Sequence, residues 1–279
     1  MCTLLIAFRS HAAAPVVVAA NRDEMYARPT EPTGLLVASE LARYSAPSWL
    51  EASPRAYTRA QWVVGGRDCE RGGTWLGLNS HGVFVALTNL RKRHSEQGSR
   101  GLLVLEALNA RTPAEISERL AEAVDGGDFA PFNLVYGTTE EIMVAHWPGE
   151  HLELKALSPG VHVVPSGARL DDITLPKVSQ GSDLFAAALA RHSDDTELIA
   201  ALRHVLADHT LPSLSALPPM GSPWGPEVAR QLQALCVHTP IYGTRSSSLL
   251  LLREHGSRFF AIEGAPCSDA ELREVELPR

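Results

Sequence analysis

Two apolar runs near the start of the chain constrain its fold most. Thr3-Leu4-Leu5-Ile6-Ala7-Phe8 and Val16-Val17-Val18-Ala19-Ala20 carry almost no polar side chain at either set of alternating positions. Successive side chains of a strand point to opposite faces, so a run without alternation needs cover on both sides. Its β-branched content favours strand over short helix. Residues 9–15 suit a loose hairpin connection. A fold that begins this way must place further layers above and below its first sheet.

The remaining chain supplies those layers. Trp75–Leu78 and Val83–Leu87 flank the tight turn Asn79-Ser80-His81-Gly82, a hairpin pattern. Further strands are expected at Phe132–Tyr136, Ile142–His146, Leu152–Leu157 and Val161–Val164, with a last hairpin of Ser247–Leu252 and Arg258–Ile262. Helices are expected over 102–110 and after Thr112-Pro113-Ala114-Glu115. That second start has a Thr cap, Pro at the first position and Glu to complete a capping box. Ile116, Leu120 and Val124 form its apolar face, and Gly126-Gly127 ends it. A second pair covers 182–191 and 195–207, the latter capped by Asp194 with Glu197 and striped by Ile199, Leu202 and Leu206. Residues 226–235 add a shorter helix. Strand pairs joined by short turns and separated by helices predict an α+β fold, a four-layer αββα sandwich of two antiparallel sheets flanked by helices. The 279 residues hold no Pro-, Gly- or Ser-rich linker, which predicts one domain over 1–279, with an irregular surface loop or lid at 39–60.

Composition narrows the function. The net charge of −7 argues against a nucleic-acid partner, which needs a basic stripe. The basic cluster Arg91-Lys92-Arg93-His94 reads as a solvated loop. No stretch is apolar for the length of a membrane span. Cys2, Cys69, Cys236 and Cys267 lie far apart without zinc-ligand spacing, and the 11 histidines show no HExxH, so no metal site is expected. Scattered cysteines without a targeting segment suit a reducing cytoplasm.

Five groups of residues could carry chemistry. Removal of Met1 would set the thiol of Cys2 beside its own α-amine. An amine titrating near ~7.7–8.0 can accept the proton of a thiol near ~8.5 at little cost. The alternative is a small core hydrophobe on a buried strand. Asn21-Arg22-Asp23-Glu24 ends the second run. Arg22 and Asp23 could orient the amine and tune the thiol, or the four could form a solvated turn. Gly65-Gly66 and Gly72-Gly73-Thr74-Trp75 allow close backbone approach, at a pocket or a turn, and lack nucleotide-loop spacing. Asn89 could donate to an oxyanion or serve as a turn residue. Arg245, before the Ser246-Ser247-Ser248 run, could clamp a carboxylate or hold an active-site Asp.

In order along the chain, Met1-Cys2-Thr3, Asn21-Arg22-Asp23-Glu24, Tyr26-Ala27-Arg28-Pro29, Gly72-Gly73-Thr74-Trp75-Leu76-Gly77, Ala86-Leu87-Thr88-Asn89, Phe132-Asn133-Leu134 and Tyr242-Gly243-Thr244-Arg245 resemble the NRDE, or transport and Golgi organization protein 2, family. The resemblance implies an N-terminal nucleophile hydrolase-like fold. Cysteine members of that superfamily cleave linear amides. On that likeness Cys2, Arg22, Asp23, Asn89 and Arg245 are the catalytic set, and Asn21, Glu24, Gly73, Thr74, Trp75 and Ser166 line the substrate site. Hydrolysis of this kind needs no cofactor. The family equally implies an alternative, a non-catalytic carrier of haem, acyl-CoA or lipid. The chain departs from the family pattern at Ser166-Gly167, where relatives carry Ser-Asn. Any oxyanion donor at Gly167 must therefore be its backbone N–H.

Overall fold

The computed structural model describes residues 2–12, 14–36, 60–90, 99–125, 129–217 and 225–278. The loop at 39–60, apart from its last residue, lies outside them, as do the basic cluster at 91–94 and the Gly126-Gly127 stop. The chain divides into two compact units. One comprises Met1–Ala27, Pro159–Leu252 and Ser257–Glu274, the other Arg28–Ser158, Arg253–Gly256 and Val275–Arg279.

In the first unit, β1 (Thr3–Phe8) lies between β2 (Val16–Met25) and β10 (Gly160–Pro165). The sheet continues from β2 through β11 (Tyr242–Leu252) and β12 (Arg258–Ile262) to β13 (Leu272–Val275). The expected cover on both faces is present. Leu5, Ala7, Val17 and Ala19 pack into a core with Phe185 and Leu202, while Leu4, Ile6, Val16 and Val18 on the opposite face are equally buried. Full burial of one such side chain is worth about 1.5–3 kcal/mol. The helices against this sheet are α3 (Pro176–Arg191) and α4 (Asp195–Leu206). The Asp194 carboxylate caps α4 by accepting from the N–H groups of Thr196 and Glu197.

The second unit holds seven strands in chain order: β3 (Thr30–Leu35), β4 (Val63–Asp68), β5 (Leu76–Asn79), β6 (Phe84–Asn89), β7 (Phe132–Gly137), β8 (Ile142–Trp147) and β9 (Glu153–Ala156). All pairings described are antiparallel. The helices α1 (Arg100–Ala107) and α2 (Pro113–Asp125) flank it, with Ile116 and Leu120 in the core. Thr112 caps α2 through the Glu115 N–H, but the Glu115 carboxylate reaches back to the Arg111 N–H, one residue short of a full box. The expected two antiparallel sheets flanked by helices are thus what the chain forms. A 3-10 turn (Leu214–Ala216) and a short helix α5 (Gly225–Gln231) complete the list of helices described.

Three differences from the sequence expectation have physical causes. Asn21–Glu24 does not leave the sheet: β2 continues through it because β11 pairs with it along its whole length. β4 is a strand despite Gly65-Gly66. A Cβ at Gly65 would lie 2.8 Å from the Leu76 carbonyl oxygen, and one at Gly66 would lie 2.3 Å from the Trp75 ring. The glycines are there for close packing within a sheet, not for a turn. Finally, α3 begins at Pro176, six residues before the expected start.

Candidate active site

The site is built where three strands of the first sheet run side by side. Thr3 pairs with Pro165 on one side and with Asn21 on the other. This register sets Cys2 beside Ser166 and beside the Arg22-Asp23 pair. The backbone N–H of Cys2 donates to the Ser166 hydroxyl at 2.6 Å, and the Ser166 N–H donates to the Cys2 carbonyl at 2.9 Å. The atom that a removed Met1 would convert to an α-amine is therefore already held. Burial pushes the Cys2 thiol pKa up, while Arg22 and the backbone N–H of Asp23 act the other way.

Asp23 is 2% exposed. Its carboxylate accepts from the Thr244 hydroxyl at 2.6 Å. A register shift between Thr244 and Ser246 makes this possible, with Thr244 opposite Asp23 and Ser246 opposite Arg22. The bulge sets Arg245 off the ladder. Its guanidinium donates to the carbonyls of Met25 and Tyr26, at the outer end of β2. Its neighbour Thr244 is a holder of Asp23 that the sequence did not suggest.

Lys177 was not anticipated. It is the second residue of α3, 1% exposed, and its ammonium donates to the Thr3 hydroxyl at 3.4 Å. Burial lowers its pKa, opposed by the negative charge of Asp23 and of the Cys2 thiolate. Burial likewise raises Asp23, opposed by Lys177 and by the Thr244 hydroxyl. A signal for Lys177 exists in the sequence. Lys177, Gly181, Phe185 and Ala188 fall on one buried stripe at helical spacing, so the lysine heads an apolar face. The Ser179-Gln180-Gly181 segment hides it by looking like a break. Gly181 is instead a packing glycine, since a Cβ there would sit 3.1 Å from Leu235 and 3.2 Å from Leu5.

Asn21, expected at the substrate site, is held by three buried hydrogen bonds. Its amide donates to the carbonyls of Leu206 and Leu235 and accepts from the Ser247 hydroxyl at 2.6 Å. At 1% exposure it ties the end of α4 and the 235 segment to the sheet. The Glu24 carboxylate, at the half-exposed end of the motif, accepts from the N–H of Met25.

The other expected residues belong to the second unit. Asn89 is half-buried at the end of β6, opposite Phe132. A Cβ on Gly73 would lie 2.1 Å from the backbone of Gly101, so this glycine lets α1 approach. The buried Thr74 hydroxyl donates to the Leu76 carbonyl, and the Trp75 indole lies over Gly66. Gly73, Thr74 and Trp75 thus make close packing contacts within that unit.

What the first unit gathers is chemically specific. A half-buried thiol, a buried carboxyl and a buried amine share one locus, and desolvation drives each toward its neutral form. Groups whose charged forms are all disfavoured together exchange protons at small cost, as a proton-transfer site requires.

Comparison with known proteins agrees with the fold. Over its whole length the fold is similar to that of two bacterial enzymes. A variant of conjugated bile acid hydrolase from Clostridium perfringens superposes with a TM-score of 0.59 at 10% identity, covering 99% of this chain and 92% of that one. Penicillin V acylase from Agrobacterium tumefaciens gives 0.53 at 10% identity, covering 99% and 86%. At such identities the likeness speaks for the fold alone. In sequence, the chain is 28% identical over 254 residues to the Transport and Golgi organization protein 2 homolog of Bos taurus, covering 86% of this chain and 83% of that protein. The human homolog is 27% identical over the same span. The family model for Transport and Golgi organisation 2 matches residues 1–265, which include every residue of the Cys2 site, and the chain belongs to that family.

Proposed function

We propose that this protein is a cysteine amidohydrolase whose nucleophile is Cys2 after removal of Met1. The observation that carries the reading is the hold of Ser166 on the Cys2 nitrogen, 2.6 Å away, beside the Asp23 and Lys177 pair. In the mature chain that nitrogen is an α-amine with its lone pair available to the thiol. The amine takes the thiol proton as sulfur attacks the amide carbonyl carbon. The resulting ammonium gives the proton to the leaving nitrogen as the C–N bond breaks, leaving a thioester on Cys2. Water, deprotonated by the same amine, then releases the acid and regenerates the thiol. Arg22 favours the thiolate. Asp23, with Lys177 beside it, stabilises the ammonium that forms within each half-reaction. The substrate class is a linear N-acyl amide, in keeping with the acylase and conjugated bile acid hydrolase named among the structural likenesses.

Intact mass and thiol labelling test this directly. The expected result is loss of Met1, rapid modification of Cys2 ahead of Cys69, Cys236 and Cys267, and hydrolysis of chromogenic N-acyl amides that Cys2→Ala abolishes. Retained Met1 with an unreactive Cys2 would sink the mechanism and favour a carrier of haem or acyl-CoA.

A further inference from the structure

A second grouping lies elsewhere in the first unit, and nothing in the Cys2 mechanism uses it. Cys236 and His238 precede β11, His209 follows α4, and Cys267 lies between β12 and β13. The sulfur atoms of Cys236 and Cys267 are 3.7 Å apart. The Nε2 atom of His238 is 3.4 Å from the first and 3.2 Å from the second. The ligating atoms of His209, His238 and Cys267 all lie within 4.8 Å of one another. Metal–sulfur bonds of about 2.3 Å and metal–nitrogen bonds of about 2.0–2.1 Å on a tetrahedron require edges of about 3.8 Å for S–S and about 3.6 Å for N–S. The separations among Cys236, His238 and Cys267 are close to these, and His209 lies within 4.8 Å of His238 and Cys267.

The supporting frame is set independently of the four side chains. The Cys236 N–H donates to the Asp208 carbonyl, which sets His209 alongside. Gln180 donates to the Asp208 carboxylate, and the Thr210 N–H donates to the same group. The guanidinium of Arg203 holds the carbonyls of Pro266, Ser268 and Ala270, which fixes the loop on either side of Cys267. A pocket of about 270 Å³, lined among others by His209, Cys236 and His238, opens beside them. Without a cation the arrangement is unfavourable for thiolates: burial and the facing Cys267 push the Cys236 thiol up to about 12. A bound dication reverses this by replacing both thiol protons.

We propose that His209, Cys236, His238 and Cys267 form a tetrahedral zinc site of structural type. Two sulfur and two nitrogen ligands select Zn²⁺ among common divalent metals, and four protein ligands leave no position for substrate. The site joins three chain segments that are distant in sequence. Its effect reaches the Cys2 locus through Val237, whose N–H donates to the Thr244 hydroxyl that holds Asp23. Linear motif searching misses the site because its ligands come from three segments with no fixed spacing.

The test is metal analysis of the full chain, purified under reducing conditions without chelator. About one equivalent of zinc is expected, with Kd at or below about 10⁻⁷ M by chelator competition. Cobalt substitution should give a thiolate-to-cobalt charge-transfer band. His209→Ala and Cys267→Ser change exposed ligands, so folding is expected to survive, and each should lose at least about 100-fold in affinity. Cys69→Ser should bind as the wild type does. Sub-stoichiometric zinc that chelator removes at micromolar affinity, equal binding by the variants, or a Cys236–Cys267 disulfide in reduced protein would each overturn the proposal. The readouts are independent of hydrolysis, so the site stands or falls apart from the Cys2 mechanism.

Discussion

The Thr244 hydroxyl joins two elements at once: it donates to the Asp23 carboxylate at 2.6 Å and accepts from the Val237 N–H at 2.9 Å. Both partners are buried. Thr244→Val keeps the shape and removes the hydroxyl, leaving a buried acceptor and a buried donor each one bond short. The expected cost is about 1–3 kcal/mol, seen as a lower denaturant midpoint at unchanged slope. Thr244→Ser should restore most of it. A Val variant as stable as the wild type would remove Thr244 from the support of the site.

Ser166 fixes the Cys2 nitrogen by one hydrogen bond. In protein lacking Met1, Ser166→Ala should leave the fold intact and slow both Cys2 labelling and amide turnover about tenfold, the worth of one such bond. The split matters: a positioning role lowers kcat more than it raises KM, and it shifts the pH profile of labelling because the amine loses a partner. An unchanged profile would mean that another group sets the amine.

Much of the fold was legible from residues 3–8 and 16–20, because a β-branched run with no polar face fits a doubly covered strand. The hairpin at Asn79–Gly82 and the caps at Thr112 and Asp194 follow local rules that tertiary structure did not override. β3 and β4 were not legible. Thr30–Leu35 is polar and half-exposed, and Gly65-Gly66 resembles a turn until the Trp75 ring above it is known. For the site, Cys2, Arg22, Asp23 and Ser166 were named from the motif, and β1, β2 and β10 gather them. Lys177 was missed because the Ser179-Gln180-Gly181 segment resembles a break in the helix that carries it, and the bonds of Asn21 were not legible because its acceptors come from residues 206 and 235. Pairings between distant segments are the information a single sequence conceals.

Gly73 makes such a distant pairing testable. A methyl group there would lie 2.1–2.6 Å from three backbone atoms of Gly101, none of which can rotate away. Gly73→Ala should therefore destabilise by about 1–3 kcal/mol or more, through displacement of α1. Gly82→Ala is the contrast. Nothing lies within 4 Å of its Cβ position, but φ is +73°, so its cost is conformational and stays near about 1 kcal/mol. Thermal melts of both variants check the order. A Gly73 variant no worse than the Gly82 variant would contradict the close helix approach.

Asp23 offers a stability test of opposite sign to its role in activity. Its folded pKa is raised above the ordinary 3.8 by burial. Below 3.8 both folded and unfolded chains carry the proton, and the group is neutral with respect to stability. As pH rises past that value the unfolded chain ionises first and binds fewer protons, so wild-type stability falls until the folded pKa is also passed. Asp23→Asn retains the Oδ1 acceptor for Thr244 and cannot ionise. Lys177 then loses the anion that favours its charge, while burial still disfavours it. The variant should be inactive toward amides, yet gain stability over the wild type progressively as pH rises above 3.8. Chemical denaturation across that range measures the difference. A gap that stays constant with pH, or that closes as pH rises, would show that Asp23 is ionised in the folded protein throughout and that Lys177 or Arg22 compensates its charge in full.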